Sequence, residues 1–415
     1  MTTVSPHQVV ITGAAVVNTL ADDLASFTEA LRQGRTAITV RDGDPPVAGA
    51  WLTDFSVAQW AARAAPDAAG ALRAATRRCA PPATTAACVA LAACRDAGLS
   101  PERISAAALV VAGNNLALAY HSGAWSQFRD DPGQTRATHV LRYPDSDTIG
   151  VVSEVLGLRG EGLTVGAASA SAAVAVIAAA RLIAAGTVRT CVVVAPLAEL
   201  SELEFAAFMQ AGAMASPQAG VPPAELCRPF DSARQGFVYG QGAAAIVIEA
   251  PRPGCRAYAR LIGHGQRLDG AGGAGPSAEG QAAAMRAALA MGETDAAEVD
   301  YVNAHATGSL LGDRVEADAL AEVFGGPGPL VNTTKPLTGH CLSGSGMQEL
   351  VATLLQMRHG FVHPNRGLTH PLSTSVRFAG RVAQDHTITV AMTNSVAFGG
   401  INACLLLRQP GGQDE

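Results

Sequence analysis

The sequence predicts an α/β fold in which β-sheets lie between layers of helices, laid out as two similar halves. Three observations carry this. Short β-branched runs alternate with alanine-rich helical patterns along the whole chain. A length of 415 residues suggests two domains or one duplicated unit, at roughly 100–200 residues per domain. Two Ser-rich-to-apolar stretches, 168–186 and 342–360, echo each other across 174 positions, with Ser169/Ser343, Ser171/Ser345, Ala178/Ala352 and Gly186/Gly360 coinciding.

Taken in order, the strands are expected at VVITGAAVV (9–17), ALVVAG (108–113), LTVG (163–166), TCVVVAP (190–196), AAAIVIEA (243–250), VDYVNAH (299–305) and TITVAMT (387–393). Helical periodicity marks 21–33, 83–97, 168–185, 279–291, 314–324 and 343–359. PRPG (251–254) places a junction between an N-terminal half, 1–252, and a C-terminal half, 253–415. GAGGAGP (270–276), following RLIGHGQRLD, reads as a surface loop.

Composition narrows the function classes. With 48% hydrophobic and 15% charged residues the chain can bury a large core. A net charge of −6 without a basic tract argues against nucleic acid. The start, MTTVSPHQVVITGAAVV, lacks the basic n-region of a signal peptide. The longest apolar stretch, AASASAAVAVIAAARLIAAG, is alanine-rich and broken by Arg181, short of the ~20 strongly apolar residues of a membrane span. Cysteines 79, 88, 94, 191, 227, 255, 341 and 404 show no metal-ligand or disulfide spacing, which points to a reducing cytoplasm without zinc.

Four segments carry chemical side chains. VNTTKPLTGH holds Lys335, the one lysine of a chain whose other basic residues are arginine. Either it survives base-composition drift, or this spot needs a compact point donor that a planar guanidinium cannot imitate. His340 closes that segment, ahead of a helix containing Glu349. YVNAHATGSLLGD ends an apolar strand at His305 and opens into a Thr/Gly/Ser turn. TNSVAFGGINA sets Phe398 before Gly399 and Gly400, which let backbone approach a ligand closely. In LTVGAASASAAVAV a strand turns into a helix near Ser169, where unpaired N–H groups and the helix dipole favour an anion. Taken singly, each histidine also fits a satisfied loop residue, Phe398 a core aromatic, and Ser169 an ordinary N-cap.

Together these segments, with VVITGAAVVNTL and RPFDSARQGFVYGQGAAAIVIE, resemble the β-ketoacyl synthases of the thiolase superfamily over nearly the whole chain. The resemblance implies a thiolase-like five-layer αβαβα fold of two pseudo-repeated halves and a homodimer. It gives His305 the place of the histidine in the family's HGTGT motif, although this chain reads HATGS. Lys335 and His340 take the lysine and histidine of KxxxGH, and Glu349 the glutamate that pairs with that lysine. Phe398 takes the place of the gating phenylalanine, its N–H that of the second oxyanion donor. Thr307 and Ser309 match hydroxyls lining the phosphopantetheine tunnel, with Gly399 beside the substrate.

The departures bear on the reaction. Where the family reads roughly DTACSSS, this chain reads GAASASA, so Ser169 replaces the cysteine and Gly166 and Ala167 replace the aspartate and threonine; Val396 replaces the first gate phenylalanine. A thiol of pKa about 8.5 is ionised by a helix N-terminus, whereas a hydroxyl needs a general base. Decarboxylation needs no protein nucleophile, only donors to the thioester oxygen. The resemblance therefore extends to the decarboxylating offshoot found in polyketide β-branching cassettes. It implies conversion of malonyl- to acetyl-acyl carrier protein without elongation, and no cofactor beyond the carrier's phosphopantetheine. A hydroxymethylglutaryl-synthase-like pathway partner is also implied. The alternatives are a Ser-dependent acyltransferase or atypical condensing enzyme, and a non-catalytic subunit like the chain-length factors. Arg73, Arg77 and Arg78 fit either an acidic carrier protein or a solvated helix face.

Overall fold

The apolar runs condense into ten strands of one hydrogen-bonded sheet in the computed structural model, which describes residues 9–43, 45–252, 254–273, 275–326 and 328–411. Residues 1–8, Pro253 of the PRPG junction and Ala274 of the glycine-rich loop lie outside the described residues. In chain order the strands are β1 (Val9–Asn18), β2 (Ala108–Ala112), β3 (Gly162–Val165), β4 (Thr190–Ala195), β5 (Gly242–Glu249), β6 (Ala259–Leu268), β7 (Tyr301–Asn303), β8 (Leu330–Asn332), β9 (Val390–Ala397) and β10 (Ile401–Arg408). Their spatial order is β8-β7-β9-β10-β6-β1-β5-β4-β2-β3.

Divided between β6 and β1, the sheet becomes two five-stranded sheets of identical design. In one, β1 and β5 and then β5 and β4 pair antiparallel, while β4 with β2 and β2 with β3 are parallel. In the other, β6, β10, β9, β7 and β8 repeat that order and those directions. The duplication echoed in the sequence is thus a duplication of topology. A short antiparallel seam, in which Val9 to Ile11 of β1 pair with Leu261 to Ala259 of β6, joins the two sheets.

Two helices lie between the sheets: Ser171–Ala184, after β3, and Ser345–His359, after β8. They share one core with both sheets, including Val176, Ile177, Met347, Leu350, Ile246 and Leu405. On the far side of the first sheet Pro81–Asp96 closes a second core; on the far side of the other, Ala278–Met291 and Gly312–Phe324 close a third. The sequence from outside to outside is helix, sheet, helix, sheet, helix, the five-layer arrangement expected. β2 and β4 are buried on both faces, which is why they read as continuous apolar runs.

β6 was not foreseen from RLIGHGQRLD, because two glycines hid its strand pattern. Their reason is tertiary. A Cβ at Gly263 would lie 2.1 Å from the Ala288 carbonyl oxygen, and one at Gly265 would lie 2.0 Å from that of Ala284. The helix Ala278–Met291 rests on the backbone of β6, and only glycine permits that approach. Gly263→Ala should therefore destabilise the protein by ~1–3 kcal/mol, the usual cost of overpacking. Gly272→Ala, where a Cβ meets open space, should leave the denaturation midpoint unchanged.

Candidate active site

β3 runs into a tight turn where Ala168 adopts φ +44°, in the left-handed region. A 3₁₀ turn, Ala168–Ala170, then carries Ser169. Such a conformation at alanine costs of order 1–3 kcal/mol and persists only when the surroundings enforce it. Ser171 does so: its hydroxyl accepts from Ala167 N–H at 2.8 Å and donates to the Ala168 carbonyl at 2.7 Å. The N-cap alternative for Ser169 is not realised, because Ala170 holds that position without a side-chain cap. Instead Ser169 Oγ lies 3.0 Å from His340 Nε2. The second half repeats the device 174 positions on, with Leu342 at φ +52° and a 3₁₀ turn, Leu342–Gly344, leading into its central helix.

His305 sits in a loop rather than at a strand end, since β7 stops at Asn303. The chain leaves the sheet because Glu316 takes over its backbone donors, accepting from His305 N–H at 2.8 Å and Ala306 N–H at 2.7 Å. One turn earlier on the same helix, Asp313 accepts from the N–H groups of Thr307, Gly308 and Ser309 at 3.1 Å each, and from Phe230 N–H at 2.8 Å. Burial pushes Glu316 up to about 7 and Asp313 up to about 6, against the pull of those N–H donors. Thr307 and Ser309 are thereby fixed in a loop clamped by two carboxylates, and the Ser309 hydroxyl accepts from Gly312 N–H at 2.8 Å. The sequence contained this clamp as GDRVE, but nothing local revealed what the two acids would hold.

Lys335 opens the short helix Lys335–Thr338 and is 1% exposed. Its ammonium donates to the Glu349 carboxylate on the second central helix and to the His305 carbonyl. Burial pushes the Glu349 carboxyl up and the ammonium opposes it. A buried polar net behind the site fixes the strand ends that carry these groups: Asn303 Nδ2 donates to Thr334 Oγ1 at 3.0 Å, and Asn332 Nδ2 to the His363 carbonyl at 2.7 Å.

The two imidazoles stand edge to face, with ring centroids 5.6 Å apart at 81°. His340 is 3% exposed. Burial lowers both histidines well below their ordinary value, and the Lys335 ammonium adds to the effect, so both rings are neutral. Neutral rings beside a serine can each present one N–H to a developing oxyanion.

Phe398 occupies the tip of the β9–β10 hairpin, half exposed. A row of rings leads from it to the histidines: Phe208 at 6.4 Å, Phe237 at 5.3 Å from Phe208, and His340 at 5.3 Å from Phe237. Phe208 comes from the helix Glu202–Gln210, whose capping box of Ser201 and Glu204 is the S-x-x-E signal of a helix start. Gly399 has φ +86°, and its N–H donates to the Gly273 carbonyl at 2.9 Å. The glycine-rich stretch is therefore packed on the Phe398 turn, and the Gly399 amide is already committed to it. Ser169, His305, His340, Lys335 and Glu349 form one contiguous cluster; Phe398 and Gly399 stand at its outer edge.

Lys335→Arg should cost ~1–3 kcal/mol of stability through overpacking of a filled site. Lys335→Ala should cost about 3–5 kcal/mol by leaving Glu349 buried and unpaired. Denaturant titration measures both. Histidine ring ¹⁵N spectra should show His305 and His340 still neutral at pH 6, where an unperturbed imidazole of pKa about 6.5 is largely protonated.

Comparison with known proteins bears on this arrangement. Residues 7–252 match the family model of the β-ketoacyl synthase N-terminal domain and residues 258–369 that of the C-terminal domain. The chain is 33% identical over 418 residues to the polyketide biosynthesis malonyl-ACP decarboxylase PksF of Bacillus subtilis (strain 168), covering 98% of each. It is 36% identical over 193 residues to 3-oxoacyl-[acyl-carrier-protein] synthase 1 of Escherichia coli (strain K12), covering 45% of this chain and 47% of that one. Among solved structures, a β-ketoacyl synthase from Burkholderia phymatum STM815 aligns with TM-score 0.85 at 28% identity, over 97% of this chain and 100% of that one. A type II polyketide ketosynthase in complex with its acyl carrier protein shares the fold, with TM-score 0.84 at 20% identity over 98% of this chain and 100% of that one. Agreement in both domains and along the full length makes this protein a member of the β-ketoacyl synthase family.

Proposed function

We propose that this protein decarboxylates malonyl-acyl carrier protein to acetyl-acyl carrier protein and does not elongate chains. The observation that carries the proposal is the neutral His305–His340 pair, retained around a serine in the nucleophile's place. In the reaction the bond between the malonyl carboxylate and Cα breaks and CO2 leaves. The electron pair flows into the thioester as an enolate, whose oxygen accepts the two imidazole N–H bonds. A proton from water then quenches Cα. One such donor is typically worth ~2.7–4 kcal/mol of barrier. The relative PksF, named as a malonyl-ACP decarboxylase and aligned end to end, supports the same chemistry.

The substrate arrives on a carrier's phosphopantetheine arm and the protein needs no cofactor of its own. Among the described residues no helix is long and apolar enough to cross a membrane. A homodimer fits two surface features: β3 ends the sheet with a free edge, and Trp125, Phe128, Val140, Leu141 and Tyr143 are exposed. We place the product ahead of a hydroxymethylglutaryl-synthase-like partner in β-branching.

A second reading rests on the 3.0 Å contact of Ser169 with His340, which would serve a Ser–His acyltransferase if the imidazole were the base. Intact mass separates the two. The decarboxylase turns malonyl-carrier into acetyl-carrier with no primer added, and no acyl adduct accumulates on Ser169. His305→Ala or His340→Ala should lower that conversion about 10²–10³-fold. Ser169→Ala should cost no more than about tenfold, since the serine hydroxyl contributes at most a hydrogen bond. A stable acyl-Ser169, or efficient joining of a primer to the malonyl unit, overturns the proposal.

A further inference from the structure

His340 can serve as an oxyanion donor only if its single proton is on Nε2. We infer that the Ser345 hydroxyl donates to His340 Nδ1 and thereby fixes the Nε2–H tautomer, which commits this site to decarboxylation and denies Ser169 a base. The inference rests on the proposed function for its catalytic meaning, but its structural basis is separate.

Ser345 Oγ lies 2.8 Å from His340 Nδ1, and both residues are 3% exposed. Two arrangements fit that distance. In the first, the hydroxyl donates to Nδ1, and both groups are satisfied. In the second, Nδ1–H donates to the hydroxyl, whose own proton then needs an acceptor. Among the described residues no other hydrogen bond of this hydroxyl is found, so the second arrangement strands a buried donor, at the desolvation cost such groups carry. The local field agrees. Ser345 is the first residue of the fifteen-residue helix Ser345–His359, so Nδ1, in contact with its hydroxyl, lies near the positive end of that helix. A lone pair is stabilised there and an N–H is not.

The duplicated half shows what this hydroxyl does when no imidazole is present. Ser171 coincides with Ser345 in the internal echo, and its hydroxyl donates backward to the Ala168 carbonyl of its own elbow. In the second half the equivalent hydroxyl instead turns to His340. His305 has no comparable partner: its Nδ1 is buried without a hydrogen bond. The pinning is thus particular to the ring that touches Ser169.

With Nε2 protonated, the Ser169 oxygen can only accept from it, and cannot pass its proton to that nitrogen. Ser345 is a positioning residue, acting on the reaction through His340 alone.

The test is the histidine ring ¹⁵N spectrum of the resting full-length protein at pH 8, with the His340 resonances assigned from their loss in His340→Gln. The expected spectrum shows an unprotonated Nδ1 and a protonated Nε2. In Ser345→Ala the His340 signals should move toward a mixture of tautomers. The decarboxylation kcat should fall about tenfold, as for a lost hydrogen bond, with KM within about twofold. A protonated Nδ1 in the unmodified protein overturns the inference, as does a Ser345→Ala spectrum identical to it. A loss of kcat without a tautomer change assigns Ser345 a merely structural role and also overturns it. Because the spectrum is recorded without substrate, it stands or falls independently of whether malonyl cargo is processed.

Discussion

A single buried ammonium holds this site in register. Lys335 donates to the Glu349 carboxylate and to the His305 carbonyl, so one cation ties the NTTKPLTGH segment, the second central helix and the histidine loop together. In a medium of low dielectric, removing one partner of such a pair exposes the full desolvation penalty of the other. The requirement selects a donor on a slim, flexible stem, which a guanidinium fork is not. That is the physical case for a lysine at this position of an otherwise arginine-only chain. The same cation helps to keep both imidazoles neutral.

From that constraint the chemistry follows. The two rings are kept neutral and close, and the residue against His340 is a hydroxyl. A helix N-terminus readily ionises a thiol but has too little strength to ionise an alcohol. The strand–elbow–helix frame that would activate a nucleophile is intact, down to the left-handed Ala168 and the Ser171 latch. On the proposed reaction, the frame still places a group against the substrate thioester while withholding a nucleophile. What remains is the pair of imidazoles that the proposal assigns to the enolate oxygen.

The fold economises by using its design twice. Each half supplies five strands in one order, an elbow with a positive φ at a non-glycine residue, and a central helix. The first elbow presents Ser169; the second, at Leu342, sits beside the His340 that Ser169 meets. Bringing the two central helices together between the sheets is what closes the distance between residues 171 positions apart in the chain.

The amino-acid order by itself determined the α/β alternation and carried the internal echo, because these depend on local periodicity, while it was resemblance to the family's motifs that singled out Ser169, His305, Lys335, His340, Glu349 and Phe398. It did not disclose β6, since Gly263 and Gly265 answer to a helix carried some twenty residues later in the chain. Nor did it reveal that Glu316 and Asp313 would anchor the histidine loop, or that the Gly399 amide would be taken by Gly273. The partners of the two His340 nitrogens were likewise settled only in three dimensions. A side chain's proton is placed by whichever groups surround it after folding, and those groups come from segments that share no local pattern.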